Sequence, residues 1–152
     1  MLTITNGADY LPQVKELIIE YTGRLNRDLS FQHLNEELEH LAEKYTAPNG
    51  ELLAAVENGT VLGMAAYRRL DAARCEMKRL YVKPEARGMH LGEQLIRNIM
   101  EHAAAAGYTE MVLDTIQPLQ TAIYLYRKSG FTECEPYYEN PMADVIYMSA
   151  RL

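Results

Sequence analysis

R-G-M-H-L-G-E-Q-L-I, residues 87–96, is the stretch that decides how this sequence folds. Two glycines, Gly88 and Gly92, stand where a turn passes into an amphipathic helix carrying Leu91, Leu95, Ile99 and Ala103 at three-and-four spacing. A strand-like run ends just ahead of them at Val82. The start of a helix leaves several backbone N–H groups without intrahelical partners, and the helix dipole adds partial positive charge there. Glycine lets an anion approach such amides without a Cβ in the way. Strand, glycine turn and helix in this order read as a phosphate-holding loop. Without a ligand the same residues are a plain glycine-bearing turn, and the rest of the chain has to decide between the two.

Downstream, Gly107 stops the helix, and M-V-L-D-T, residues 111–115, is a short apolar run bounded by polar residues. With the strand over residues 74–82 this makes β-α-β, the connection that sets two strands parallel. Pro118 opens a further helix with Ala122, Leu125 and Tyr126 inward and Lys128 and Gly130 at its end. Residues 131–133 and 144–149 supply two closing strands.

Upstream, residues 2–5 form a first strand closed by Asn6 and Gly7. Asp9 caps a helix with Leu11, Val14, Ile18, Tyr21 and Leu25 on one face. A second helix begins near Ser30 with Phe31, Leu34, Leu38, Leu41 and Tyr45 inward. Its Glu36, Glu37, Glu39 and Glu43 are expected on a solvated face, and Pro48, Asn49 and Gly50 end it. Residues 52–56 and 61–67 make a hairpin around Asn58 and Gly59, a pair suited to the positive φ angles of a tight turn. The order β-α-α-β-β-β-α-β-α-β-β predicts an α/β layered fold with a mixed central sheet and helices on both faces.

A chain of 152 residues, 48% hydrophobic, fills one core, so one domain over residues 1–152 is expected. No apolar run approaches the roughly 20 residues a bilayer helix needs, and the N-terminus lacks a secretion-signal layout, so a cytoplasmic protein away from membranes is expected. The net charge of −6 and the absence of a lysine or arginine stripe argue against nucleic acid or an anionic membrane as partner. Cys75 and Cys134 lack a partner motif and read as reduced core or strand residues. His33, His40 and His102 lie on helix faces without metal-ligand spacing, so no metal is expected. Eleven tyrosines against two phenylalanines suggest pockets that are apolar in body but need hydroxyl contacts.

Three blocks, M-K-R-L-Y-V-K-P-E-A-R-G-M-H-L-G-E-Q-L-I, then M-V-L-D-T, then A-I-Y-L-Y-R-K-S-G-F, together resemble the GNAT superfamily of acyl-CoA-dependent N-acyltransferases. The resemblance spans nearly the whole chain and is specific over residues 76–131. It implies acetyl-CoA as co-substrate and a primary amine of a small molecule or peptide as acceptor, with a homodimer allowed. It implies that Arg87, Gly88, Met89, His90, Leu91, Gly92 and Glu93 hold the coenzyme A pyrophosphate through backbone amides. His90 stands where the family usually has its middle glycine, and an amide there still donates if the residue keeps a helical φ. Leu80, Tyr81 and Val82 match the strand that pairs with the pantetheine arm, where in the family a bulge splays two parallel strands. Leu119 replaces a frequent asparagine contact to that arm.

Tyr126 matches the tyrosine that protonates the departing thiolate, or is a core tyrosine with a satisfied hydroxyl. Glu76 matches a glutamate that takes the acceptor's proton, or pairs with a neighbouring strand charge; its alternation phase is shared with Lys78, Leu80 and Val82. Tyr137, Tyr138 and Asn140 cover the acceptor, or are surface residues of a proline-bounded connection. Arg24, Arg27, Arg68 and Arg79 meet an acceptor carboxylate, or balance the glutamates. An acidic groove for lysine-rich peptides competes with that acidic-amine reading. A rival from another class is a coenzyme A-binding regulatory or partner-binding domain without turnover.

Overall fold

The computed structural model describes residues 2–25, 34–46 and 48–152. Seven strands form one sheet: β1 (Leu2–Asn6), β2 (Gly50–Glu57), β3 (Thr60–Arg69), β4 (Arg74–Val82), β5 (Glu110–Ile116), β6 (Thr132–Glu133) and β7 (Val145–Arg151). Their spatial order is β1-β2-β3-β4-β5-β7-β6, and every neighbouring pair is antiparallel except β4 and β5. The helices are α1 (Leu11–Leu25), α2 (Leu34–Glu39), α3 (Leu41–Lys44), α4 (Leu91–Ala105) and α5 (Gln120–Lys128). The predicted element order holds; the second predicted helix is two short helices here, and its expected start at Ser30 and Phe31 lies outside the described residues. Arg27 and His33 also lie outside them.

Strand alternation separates two cores. Leu52, Ala54 and Val56 of β2 pack with Val14, Leu17 and Ile18 of α1 and Leu41 of α3. Leu53 and Ala55, one position out of phase, join the core of Leu91, Leu95, Ile96 and Ile99 of α4. A period of two turns successive side chains to opposite faces, so helices cover both sides. Each fully buried leucine or isoleucine contributes about 1.5–3 kcal/mol.

Local signals worked with small displacements. Asn6, rather than Asp9, caps the first helical segment, its side chain accepting from the Ala8 amide at 2.8 Å; Asp9 sits inside the 3-10 turn Gly7–Tyr10 that leads into α1. Asn58 and Gly59 have φ of 52° and 80°, as the hairpin requires. Pro118 lies in the turn before α5, which starts at Gln120.

Besides a register shift between β2 and β3 at Ala55 and Val56, two irregularities in the sheet shape the cleft and the gap beside it. Between β3 and β4 the register runs from Met64↔Tyr81 to Ala66↔Lys78, so Arg79 and Leu80 together oppose Ala65. This is a β-bulge, and Arg79 adopts φ 60° to make it. Between β4 and β5 the parallel ladder runs only through Arg74↔Glu110, Cys75↔Met111 and Glu76↔Val112, although both strands continue.

Candidate active site

The bulge at Arg79 changes which residues share a face. Before it, Cys75 and Met77 pack toward α4, while Glu76 and Lys78 line a cleft with residues of α2 and α3. Beyond it, Leu80 and Val82 pack toward α4 and Tyr81 joins the α1 core. The expectation that Glu76 shares its phase with Leu80 and Val82 is therefore corrected: an extra residue in a strand reverses its alternation.

The cleft has a volume of about 710 Å³ and is bounded by Glu37, Lys44, Arg68, Glu76, Lys78 and Tyr138, among others. Glu76 is 2% exposed, and both its oxygens are engaged. Arg68 Nε donates to Oε1 at 2.6 Å, and the Tyr137 hydroxyl donates to Oε2. Burial first, then the Glu76 charge, pushes the Tyr137 phenol far above its ordinary pKa.

Glu37 was expected on a solvated face and is instead 4% exposed. Arg79 Nε lies 2.9 Å from it and Lys44 Nζ 2.7 Å. Burial opposes its ionisation, but the two cations outweigh burial and bring its pKa from 4.5 to about 2. Arg79, itself 6% exposed, is thus held by α2, whereas Arg24 lies exposed near the end of α1.

Where β4 and β5 part, the sheet encloses a small cavity of about 60 Å³, lined by Lys78, Leu80, Asp114, Leu119, Tyr126 and neighbouring residues. Tyr126 reaches it from α5, packed edge-on against Phe131 at 5.9 Å, and its hydroxyl makes no hydrogen bond among the described residues. Desolvation, then Tyr21 and Asp114, raises its pKa well above the ordinary phenol value. Asp114 also holds the connection between β6 and β7. It accepts from the Tyr138 hydroxyl and from Asn140 Nδ2, the latter at 2.8 Å. Tyr147 completes the clasp, its hydroxyl donating to the Tyr138 carbonyl at 2.8 Å and accepting from the Asn140 amide at 3.1 Å.

The glycine turn follows β4 and a short 3-10 turn, Pro84–Ala86. Arg87, Gly88, Met89 and His90 are exposed, and among the described residues no backbone carbonyl engages the amides of residues 88–93. Gly88 has φ 92°, and His90, at the N-cap of α4, is left-handed with φ 58° and ψ 26°. A right-handed helical φ at position 90 is thus not what forms; histidine occupies a glycine-like conformation at a cost of about 1–2 kcal/mol. Gly92 has a packing reason of its own, since a Cβ there would stand 3.0 Å from Leu125 Cδ1 on α5. Glu93 turns its carboxylate to Lys128 at 3.2 Å.

Residues 12–131 match the Acetyltransferase (GNAT) family. The chain belongs to this family. An uncharacterized N-acetyltransferase of Schizosaccharomyces pombe is 44% identical over 151 residues, covering 95% of this chain and 93% of its own. An acetyltransferase from Streptococcus agalactiae superposes with a TM-score of 0.81 at 24% identity, covering 99% of this chain and 98% of that one, a likeness of fold. A GNAT family acetyltransferase from Elizabethkingia anophelis, with acetyl-CoA bound, matches with a TM-score of 0.60 and 25% identity over 74% of this chain and 82% of its own.

Several residues of this GNAT chain stand apart from the cleft chemistry. Cys75 is buried, its thiol pushed up to about 12 by desolvation, and Cys134 is half-buried; both are free. His102 is held 2.5 Å from Glu51 of β2, while exposed His40, paired with Glu43 at 3.4 Å, lies on the cleft wall. No helix among the described residues is long and apolar enough to cross a membrane. Sequence reasoning missed Asp114 as the anchor of the Tyr138 and Asn140 connection; its one signal was a carboxylate closing the apolar run of β5.

Proposed function

We propose that this chain transfers an acetyl group from acetyl-CoA to a primary amine of a small molecule or peptide, by direct attack with both substrates bound. The observation that carries the reading is the parting of β4 from β5 beyond Glu76 and Val112, with Tyr126 in the wall of the gap. The residues fit coenzyme A: the unspent amides of residues 88–93 suit its pyrophosphate, and the backbone of Leu80, Tyr81 and Val82 suits its amide-bearing arm. Bound there, acetyl-CoA supplies an activated acyl group and a thiolate leaving group.

The chain's own part is to position and to move protons. The acceptor lies in the cleft, and Glu76, its carboxylate fixed by Arg68 and Tyr137, takes the surplus proton of the amine directly or through a water. Tyr126, a phenol and so protonated at neutral pH, gives a proton to the departing sulfur. Tyr138 and Asn140, clasped by Asp114, close the acceptor side. Neither cysteine is paired with a base, which supports transfer without an acyl-enzyme. Most of the rate advantage comes from positioning.

Mixing the protein with acetyl-CoA and a panel of amines, while following free thiol, tests this. Thiol release that depends on the amine is expected. Tight acetyl-CoA binding with no thiol release from any amine would instead support the regulatory coenzyme A-binding reading.

A further inference from the structure

Most charges around the cleft already have a partner. Arg68 is bound to Glu76, Lys44 and Arg79 to Glu37, and His40 to Glu43. Glu36 and Arg69 lie exposed at its rim. Lys78 differs from all of these: it is half-buried, and among the described residues it enters no hydrogen bond or ion pair. It also lines both the cleft and the small cavity that contains Tyr126.

The groups around Lys78 are Glu76 and Arg79 on its own strand, Lys44 on α3 and Glu37 on α2, with Arg68 and Tyr138 across the cleft and Asp114, Tyr21 and Tyr126 in the small cavity. Each of these three carboxylates is taken by closer donors, Glu76 by Arg68 and Tyr137, Glu37 by Arg79 and Lys44, and Asp114 by Tyr138 and Asn140. Lys78 therefore has no counterion of its own, and desolvation brings its pKa down to about 8. A half-buried cation in that position is stabilised by any anion that enters the cleft.

We propose that Lys78 binds a carboxylate on the acceptor, so that the preferred acceptors are amines that also carry a carboxylate, such as free amino acids. This rests on the reading of the cleft as the acceptor site. Lys78 and Glu76 stand two residues apart on one face of β4, roughly 7 Å along the strand. An amine facing Glu76 and a carboxylate facing Lys78 match that polarity end for end. A lysine-rich peptide does not, because it brings cations to Lys78 and nothing to neutralise it. The role expected of Arg68 and Arg79 thus passes to Lys78, since glutamates already hold both arginines.

The sign of the pH effect follows. Lys78 loses its charge as pH rises through about 8, so its grip on a carboxylate is present below that value and fades above it. An acceptor without a carboxylate lacks this dependence.

Thiol release with acetyl-CoA is measured for free amino acids, their α-amides, the corresponding decarboxylated amines and a lysine-rich peptide, with acetyl-CoA binding followed separately by calorimetry. At least one amino acid is expected to exceed its amide and its decarboxylated amine by about tenfold or more in kcat/KM. Lys78→Met should bring that ratio toward one, Lys78→Arg should keep most of it, and the wild-type ratio should fall above about pH 8. A preference for amides or for the peptide overturns the proposal, as does an unchanged ratio in Lys78→Met. Acetyl-CoA binding with no turnover of any amino acid overturns it as well, while a wild-type protein that fails to bind acetyl-CoA removes the underlying reading of the site.

Discussion

Arg79 and Glu37 meet in the interior through two hydrogen bonds, Nε to Oε2 at 2.9 Å and Nη2 to Oε1 at 3.1 Å, joining β4 to α2 across 42 residues of sequence. The pair holds the bulged residue of β4 against the helix that walls the cleft, so stability and site geometry depend on one contact. Glu37→Ala leaves Arg79 buried without its anion, which typically costs about 3–5 kcal/mol. Equilibrium urea unfolding should show that loss, and a change within 1 kcal/mol, roughly the level of a surface pair, would contradict it.

The same carboxylate gives the stability a pH dependence. Its pKa falls from 4.5 to about 2 on folding, so its contribution is present above the unfolded value and is lost as pH falls from near 4.5 toward 2. The shift corresponds to about 3 kcal/mol. Unfolding free energy measured across that range should decline in the wild type, and Glu37→Gln should lack that part of the slope. Parallel slopes would mean that other carboxylates govern acid unfolding.

His90 and Gly88 make opposite predictions on one turn. His90→Gly removes a side chain from a left-handed position and should leave Tm unchanged or slightly raised, because relief of strain and the greater unfolded-state freedom of glycine nearly cancel. Gly88→Val forces a branched residue to φ 92° and should weaken acetyl-CoA binding about tenfold or more. Calorimetric titration of both variants with acetyl-CoA checks the pair; normal affinity in Gly88→Val would place the pyrophosphate elsewhere.

Tyr126→Phe keeps the edge-on packing against Phe131 and removes only the hydroxyl. If that hydroxyl is the acid, kcat should drop about 10²- to 10⁴-fold while the acetyl-CoA dissociation constant changes little. Unchanged turnover removes Tyr126 from the proton transfer and leaves it a core residue.

Asp114→Ala releases both Tyr138 and Asn140 from β5. The connection between β6 and β7 then loses its anchor; if it covers the acceptor as proposed, acceptor KM should rise by more than acetyl-CoA KM does. Steady-state kinetics with each substrate varied in turn separates this from general destabilisation, which would move both together.

Much of the architecture was legible because it is written locally. Asn58 and Gly59 mark a hairpin by their own conformational preference, and Leu91, Leu95 and Ile99 mark a helix by their spacing. The features that build the cleft are not local. The bulge at Arg79 arises from the pairing of β4 with β3; the resemblance implies a bulge nearby, but strand periodicity in β4 does not show it, so simple alternation puts Leu80 and Val82 on the wrong face relative to Glu76. Glu37 sits in a run of glutamates that looks solvated, and only Arg79, far off in sequence, explains its burial. The left-handed turn at His90 shows only in the resemblance, which has a glycine at that position, because histidine itself carries no preference for such a φ.

The short ladder between β4 and β5 also has a mechanical meaning. Three residue pairs are all that join β1–β4 on one side to β5–β7 on the other. One core under α4, with Leu53 and Ala65 from one half and Leu113 and Met148 from the other, ties the two halves together, so the gap is held open by packing and not by the ladder. The parting also gives the protein two strand edges turned inward, shielded from the edge-to-edge aggregation that threatens outer strands.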